Sequence, residues 1–169
     1  MRYSRSPILS MPVTLAEAKA HCRVMHDDED WLVQRYLLAA AHEIEVHCEI
    51  ALTRQTISLT VEVDGEPICL PVGPLAPDAV VTVNGTGTSE GIEGGRYPRL
   101  TLAPAITGTV QITYEAGFGD TSDDLPDDLQ LAVMEQAAHA YDHRADPEAK
   151  PGLTPAAARI CARHRRVAL

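Results

Sequence analysis

The sequence predicts an α+β protein: a helical bundle core, with helices near residues 14–24, 28–52 and 125–144, an inserted small antiparallel β region at about 54–115, and a C-terminal helical arm. Three observations predict it. Apolar residues recur every three to four positions up to residue 51, the period drops to two from residue 57, and helical spacing returns after residue 125. The implied organisation is one domain over 1–144, carrying the β region, and an arm over 145–169.

The first helix begins at Thr14-Leu15-Ala16-Glu17, which has the form of a capping box, and Leu15, Ala18 and Cys22 then share a face. A second start comes at Asp27, Asp28, Glu29 and Asp30, acids that favour the positive end of a helix dipole. No glycine-bearing calcium-loop spacing accompanies them, so helix capping is preferred to a metal site. From about Asp28 to Leu52, Val33, Leu37, Ala40, Ile44, Cys48 and Ala51 form one buried stripe. Ile57, Leu59, Val61 and Val63 then alternate with polar residues, as in a half-buried strand. Asp64-Gly65 is expected to turn the chain into a hairpin partner at Ile68 to Leu70, held at an edge by Pro67. Further strands are expected at Val80 to Val83, closed by Asn84-Gly85, at Leu100 to Leu102, and at Val110 to Tyr114.

Pro126 suits the first turn of a helix that runs to about Arg144. Its apolar residues Leu125, Leu129, Leu131, Val133, Met134, Ala137 and Tyr141 occupy more than one face. Such a helix needs neighbours on several sides, in the same chain or in another subunit. Pro147, Pro151 and Gly152 are expected to uncouple the C-terminal segment from this helix. Thr154-Pro155 then caps a last helix to about Ala168, on which Arg159, Arg163 and Arg166 form a stripe beside Ile160, His164 and Val167.

The chain has 169 residues, of which 45% are hydrophobic and 22% charged. Disorder and a membrane span are both disfavoured by that balance and by the absence of a long apolar run. The N-terminal segment has no apolar stretch of signal-peptide length, so synthesis is expected in a cytoplasm. The formal net charge is −10, which disfavours general binding to nucleic acid phosphates. Residues 151–169 hold four arginines, Arg159, Arg163, Arg165 and Arg166, and no acid, so ten basic residues face all 24 acids in the rest. Cys22, Cys48, Cys69 and Cys161 stand singly and read as reduced and mostly structural.

Chemistry is poorly signalled. His139 and His143 are four apart, a spacing that lets two imidazoles share a metal, but the glutamate of an HExxH site is missing and no third ligand is evident. His42, His47 and Cys48 invite the same idea, against which Cys48 lies on the apolar stripe. Gly117-Phe118-Gly119 is too short for a phosphate loop and is succeeded by acids. No paired nucleophile and base can be picked out. Neither a cofactor nor a metal is expected.

The order of PVTLAEAKAHCRV, DDED, the long helix, RQTISLTVEV, LPVGPL, VQITYEAGFG and LPDDLQLAVMEQAAHAYDHR resembles the head-tail connector (adaptor) proteins of long-tailed phages and gene transfer agents. The resemblance spans about Pro12 to Arg144, and its most specific pieces are Tyr114 to Gly119 and Ala140 to Arg144. It implies a structural protein with no catalysis. Subunits, usually twelve, would form a ring beneath the portal protein, extend the DNA channel without gripping the DNA, and receive a downstream neck, stopper or tail-terminator protein. On this reading 1–144 is the connector domain, and Leu129, Val133, Ala137 and Tyr141 are candidate subunit contacts. The arm residues Arg159, Ile160, Arg163, Arg166, Val167 and Leu169 are candidate portal contacts. Two alternatives stand beside it: a DNA-binding packaging factor using the arginine tail, and a metal-binding protein using His139 and His143.

Overall fold

The structure, a computed structural model, describes residues 1–88, 90–104, 106–146 and 152–166. They form two compact units, one of residues 1–9 and 49–120, the other of residues 10–48 and 121–169.

The first unit is built on two long antiparallel strands, β2 (Gln55–Val63) and β8 (Gly108–Ala116). Their register sets Ile57 opposite Tyr114, Leu59 opposite Ile112 and Val61 opposite Val110. The alternation in sequence therefore becomes one apolar face, and all of these side chains except the half-buried Val61 are buried. The sheet continues outward to β1 (Arg2–Arg5) beside β2, and on the other side to β4 (Val81–Val83) beside β8 and then β5 (Thr86–Thr88) beside β4. Asn84 and Gly85 both take positive φ, 50° and 82°, as the two-residue turn joining β4 to β5 requires. Tyr114 is buried to its hydroxyl, which accepts from Val72 N at 3.1 Å and donates to Val72 O at 3.0 Å.

The expected hairpin at Ile68 to Leu70 does not form. β3 (Ile68–Cys69) pairs instead with β7 (Arg99–Leu100), in a second sheet completed by β6 (Ile92–Glu93). Both flanks of β2 are already taken, one by β8 and the other by β1, where Arg2 faces Thr60 and Arg5 faces Ile57. A chain leaving the Asp64-Gly65 turn finds no free strand to join. β1 escaped sequence reading because RYSR has no apolar alternation; it is held by backbone pairing at an edge.

The second unit is helical: α1 (Leu15–Cys22), α2 (Asp30–Cys48), α3 (Asp127–Asp142) and α4 (Pro155–His164). The capping box is present, with Glu17 N donating to the Thr14 hydroxyl and Thr14 N to the Glu17 carboxylate. The acids before α2 serve its first turn, and Lys19 also ties them back to α1 by pairing with Asp27 and, at 2.6 Å, with Asp30. α2 stops at Cys48, earlier than the apolar spacing suggests, because Glu49 turns left-handed at φ 57°. Val33, Leu37, Ala40, Ala41, Ile44 and Cys48 form the buried face of α2. α3 packs against α1, α2 and α4.

Candidate interface surfaces of the helical unit

α4 is fastened to the helices before it. Gln136, buried on α3, donates from Nε2 to Glu43 Oε2 at 2.8 Å and to Gly152 O at 3.2 Å, and its Oε1 accepts from Thr154 N at 2.8 Å. Thr154 then caps α4, its hydroxyl accepting from Ala157 N at 3.1 Å. Ala157, Ile160 and Cys161 turn inward and are buried. At the far end, Arg166 N donates to Cys48 O at 3.1 Å, meeting one of the carbonyls that the end of α2 leaves without a helical partner.

His164 Nε2 lies 2.8 Å from Asp128 Oδ2 across α4 and α3. Partial burial opposes charge on Asp128, but the hydrogen bond and charge of His164 outweigh it and hold the carboxyl below its ordinary range. The spacing of prolines and glycine had suggested an uncoupled segment. The described part of it is instead integral to the bundle, and Pro147 and Pro151 lie outside the described residues.

These contacts divide the candidate portal residues. Arg159 and Arg163 are exposed, as is Arg165, and form a basic surface on α4. Ile160 belongs to the core of the unit. Arg166 lies beyond the end of α4 and is buried, so it does not continue the exposed arginine stripe. Val167 and Leu169 lie outside the described residues.

Leu129, Val133, Ala137 and Tyr141, the candidate subunit contacts, are all buried within the chain itself. Tyr141 meets Tyr36 edge to face at 6.1 Å, donates its hydroxyl to Glu29 and lies under the Arg144 guanidinium at 4.6 Å. Of the two ways to cover a helix with apolar residues on several sides, the fold uses its own α1, α2 and α4. Most of the surface of these side chains is therefore spent inside the chain.

The histidine pair is self-engaged: the His139 and His143 rings stack at 4.1 Å, and His143 Nδ1 lies 2.9 Å from His139 O. Among the described residues no group of three or more His, Cys, Asp or Glu is placed to hold a metal ion. His42 and His47 are exposed while Cys48 is buried with Sγ 3.7 Å from Cys161 O, so the three do not converge. No helix among the described residues is long and apolar enough to cross a membrane.

The Tyr114 to Asp120 stretch is a structural clasp of the β unit. Arg54 donates to Asp120 Oδ1 at 2.6 Å, Glu115 Oε2 at 2.8 Å and Pro77 O at 3.1 Å. Gly117, at φ 141°, passes so close to Thr53 that a Cβ would lie 2.6 Å from its carbonyl. Glu115 before the glycines and Asp120 after them therefore hold an arginine.

Two features escaped the sequence reading. Gln136 is a single polar residue on an otherwise apolar face and carries no local sequence signal of its role. On α2, Trp31, Leu38 and Val46 are exposed along one line opposite the buried stripe. The second was legible, since the spacings of seven and eight are helical, but the stronger inner stripe drew the period.

With the connector-like motifs thus placed in the fold, residues 12–83 match the family described as phage gp6-like head-tail connector protein. This segment is similar to head-tail connector proteins. It contains α1, α2 and the strands β2, β3 and β4, whereas the Tyr114 to Gly119 and Ala140 to Arg144 motifs lie beyond it. Those are covered by likeness to solved structures. A chain of the virion of a native gene transfer agent particle superposes with a TM-score of 0.78 at 26% identity, over 100% of this chain and 97% of that one. A chain from the neck of an empty gene transfer agent particle, computed with C6 symmetry, gives 0.77 at 27% identity over 98% and 97%. A third, from the neck of the native particle computed with C12 symmetry, gives 0.77 at 25% identity over 100% and 97%. No curated protein sequence matches the chain. The resemblance drawn from the motifs is thus borne out along the chain, whose α+β fold is shared with chains of such particles.

Proposed function

We propose that this chain is a structural head-tail connector subunit residing in the neck of a phage or gene transfer agent particle. There it forms a ring, extends the DNA channel and joins the capsid to the tail. The observation that carries this reading is the likeness over essentially the whole length to a chain of the gene transfer agent virion, at TM-score 0.78. The C12 symmetry of one matching neck supports a ring of twelve. A structural rather than catalytic role is supported by the character of these relatives and by the engaged state of the histidines. The net charge of −10 suits a conduit, because an acidic wall repels phosphates and lets DNA pass without being held.

The portal protein is the partner proposed for the exposed basic face of α4, with Arg159 and Arg163 as its contacts, and a downstream neck, stopper or tail-terminator protein is proposed for the opposite rim. Negative-stain imaging of the purified chain, alone and mixed with the portal of its particle, tests the reading. Rings seated coaxially on the portal are expected, and a chain that neither forms rings nor binds portal at any salt concentration overturns it. Replacing Arg159 and Arg163 with glutamate should weaken portal binding more than replacing Arg2; equal effects would move the contact away from α4.

A further inference from the structure

Two outward faces of the helical unit each expose apolar side chains and differ in charge. On α2, Trp31 is 59%, Leu38 39% and Val46 57% exposed, three large apolar side chains on one line of the helix. Arg35 stacks its guanidinium over Trp31 at 5.7 Å, and His42 is exposed between Leu38 and Val46. Beside Val46 this face runs into an open groove of about 440 Å³ lined by Ala39, His42, Glu43, His47, Gly152 and Leu153. Scattered surface apolar residues are ordinary, but an aligned tryptophan, leucine and valine beside a groove mark a contact surface.

On α3 the outward line runs through Asp127, Leu131, Ala138 and Asp142, with Leu131 40% exposed. Glu135 borders it and sits 3.7 Å from His21 of α1. The α2 line carries Arg35 and His42, with Glu43 in the groove beside it and held by Gln136; the α3 line carries acids and no base. α2 and α3 pack on each other through their buried faces, so the two outward lines lie on opposite sides of the unit.

A closed ring needs one face of each copy to meet a different face of the next. We propose that the outer line of α2, Trp31 to Val46, packs against the outer line of α3, Asp127 to Asp142, of a second copy of this chain. The apolar side chains are covered, Leu131 enters near Leu38 and Val46, and Arg35 meets the neighbour's carboxylates. The assignment rests on the ring reading and gives that ring its subunit contact.

Leu38→Asp and Leu131→Asp each place a charge on one of the two lines, and Val80→Asp, on an exposed valine of the β unit, serves as control. The full chain and each variant are mixed with portal, and completed rings are counted by negative stain, with folding checked by circular dichroism and thermal midpoint. Completed rings are expected to fall about tenfold for either line variant and to stay at the wild-type level for the control. Rings at the wild-type level with both line variants overturn the contact while leaving the ring reading intact. Loss with Leu38→Asp but not Leu131→Asp overturns the pairing of α2 with α3 and points to another occupant of the α2 line, such as the portal. A wild-type chain that binds portal without ever closing a ring overturns the ring reading itself.

Discussion

The side-chain carbonyl of Gln136 accepts the backbone N–H of Thr154 at 2.8 Å, and its amide nitrogen reaches Gly152 O and Glu43 on either side. One polar residue in the middle of α3 thus fixes where α4 begins and ties both to α2. A buried amide with its donors and acceptor matched is specific in a way apolar packing is not, because any displacement leaves polar atoms without partners.

Gln136→Ala should therefore cost about 1–3 kcal/mol, the penalty for orphaning buried partners, read as a drop in the urea midpoint without a change in slope. A cost no larger than a surface substitution would mean that water replaces the amide without loss.

Ile160→Ala should cost about 2–4 kcal/mol, because the side chain fills the space between α4 and the bundle, whereas Arg159→Ala should lie within about 0.5 kcal/mol of wild type. Thermal or urea unfolding of the two variants checks this. A chain ending at residue 151 should be markedly destabilised for the same reason, in contrast to the independent arm that the spacing of prolines and glycine suggests.

Asp128 has its folded pKa lowered, chiefly by His164 working against burial. A depressed carboxyl contributes stability that is present above its unfolded pKa, near 4, and is lost as pH falls through the folded value. The stability gap between wild type and Asp128→Asn should then be full at pH 6 and close below about pH 4. A gap that does not narrow as pH falls below about 4 would mean that Asp128 acts through packing rather than through its charge.

Tyr114→Phe removes a hydroxyl that serves both the N–H and the carbonyl of Val72, and should cost about 1–3 kcal/mol with the β-sheet signal in circular dichroism preserved. Gly117→Ala should cost more than a typical surface change, since a Cβ there meets the Thr53 carbonyl at 2.6 Å.

The element types, the buried stripe of α2, the Thr14 capping box, the alternation of β2 and β8 and the Asn84-Gly85 turn were all legible in the amino-acid order. Each is a local matter, decided by side-chain period, by a side chain three residues from the amide it caps, or by the φ that glycine and asparagine tolerate. The family resemblance was legible for the same reason, as an ordered run of such local signals. Which surfaces are spent inside the chain depends instead on long-range packing. A helix with apolar residues on several sides reads the same whether a neighbour helix or a neighbour subunit covers it, so Leu129, Val133, Ala137 and Tyr141 could not be assigned until α1, α2 and α4 were in place. Strand pairing is likewise non-local: Ile68 paired away from β2 because residues 2–5, more than fifty positions earlier, had already taken its edge. Arg166 repeats the lesson at the end of α4. Helical spacing puts it in line with Arg159 and Arg163, but the helix stops at His164, and the backbone bond to Cys48 turns the residue inward.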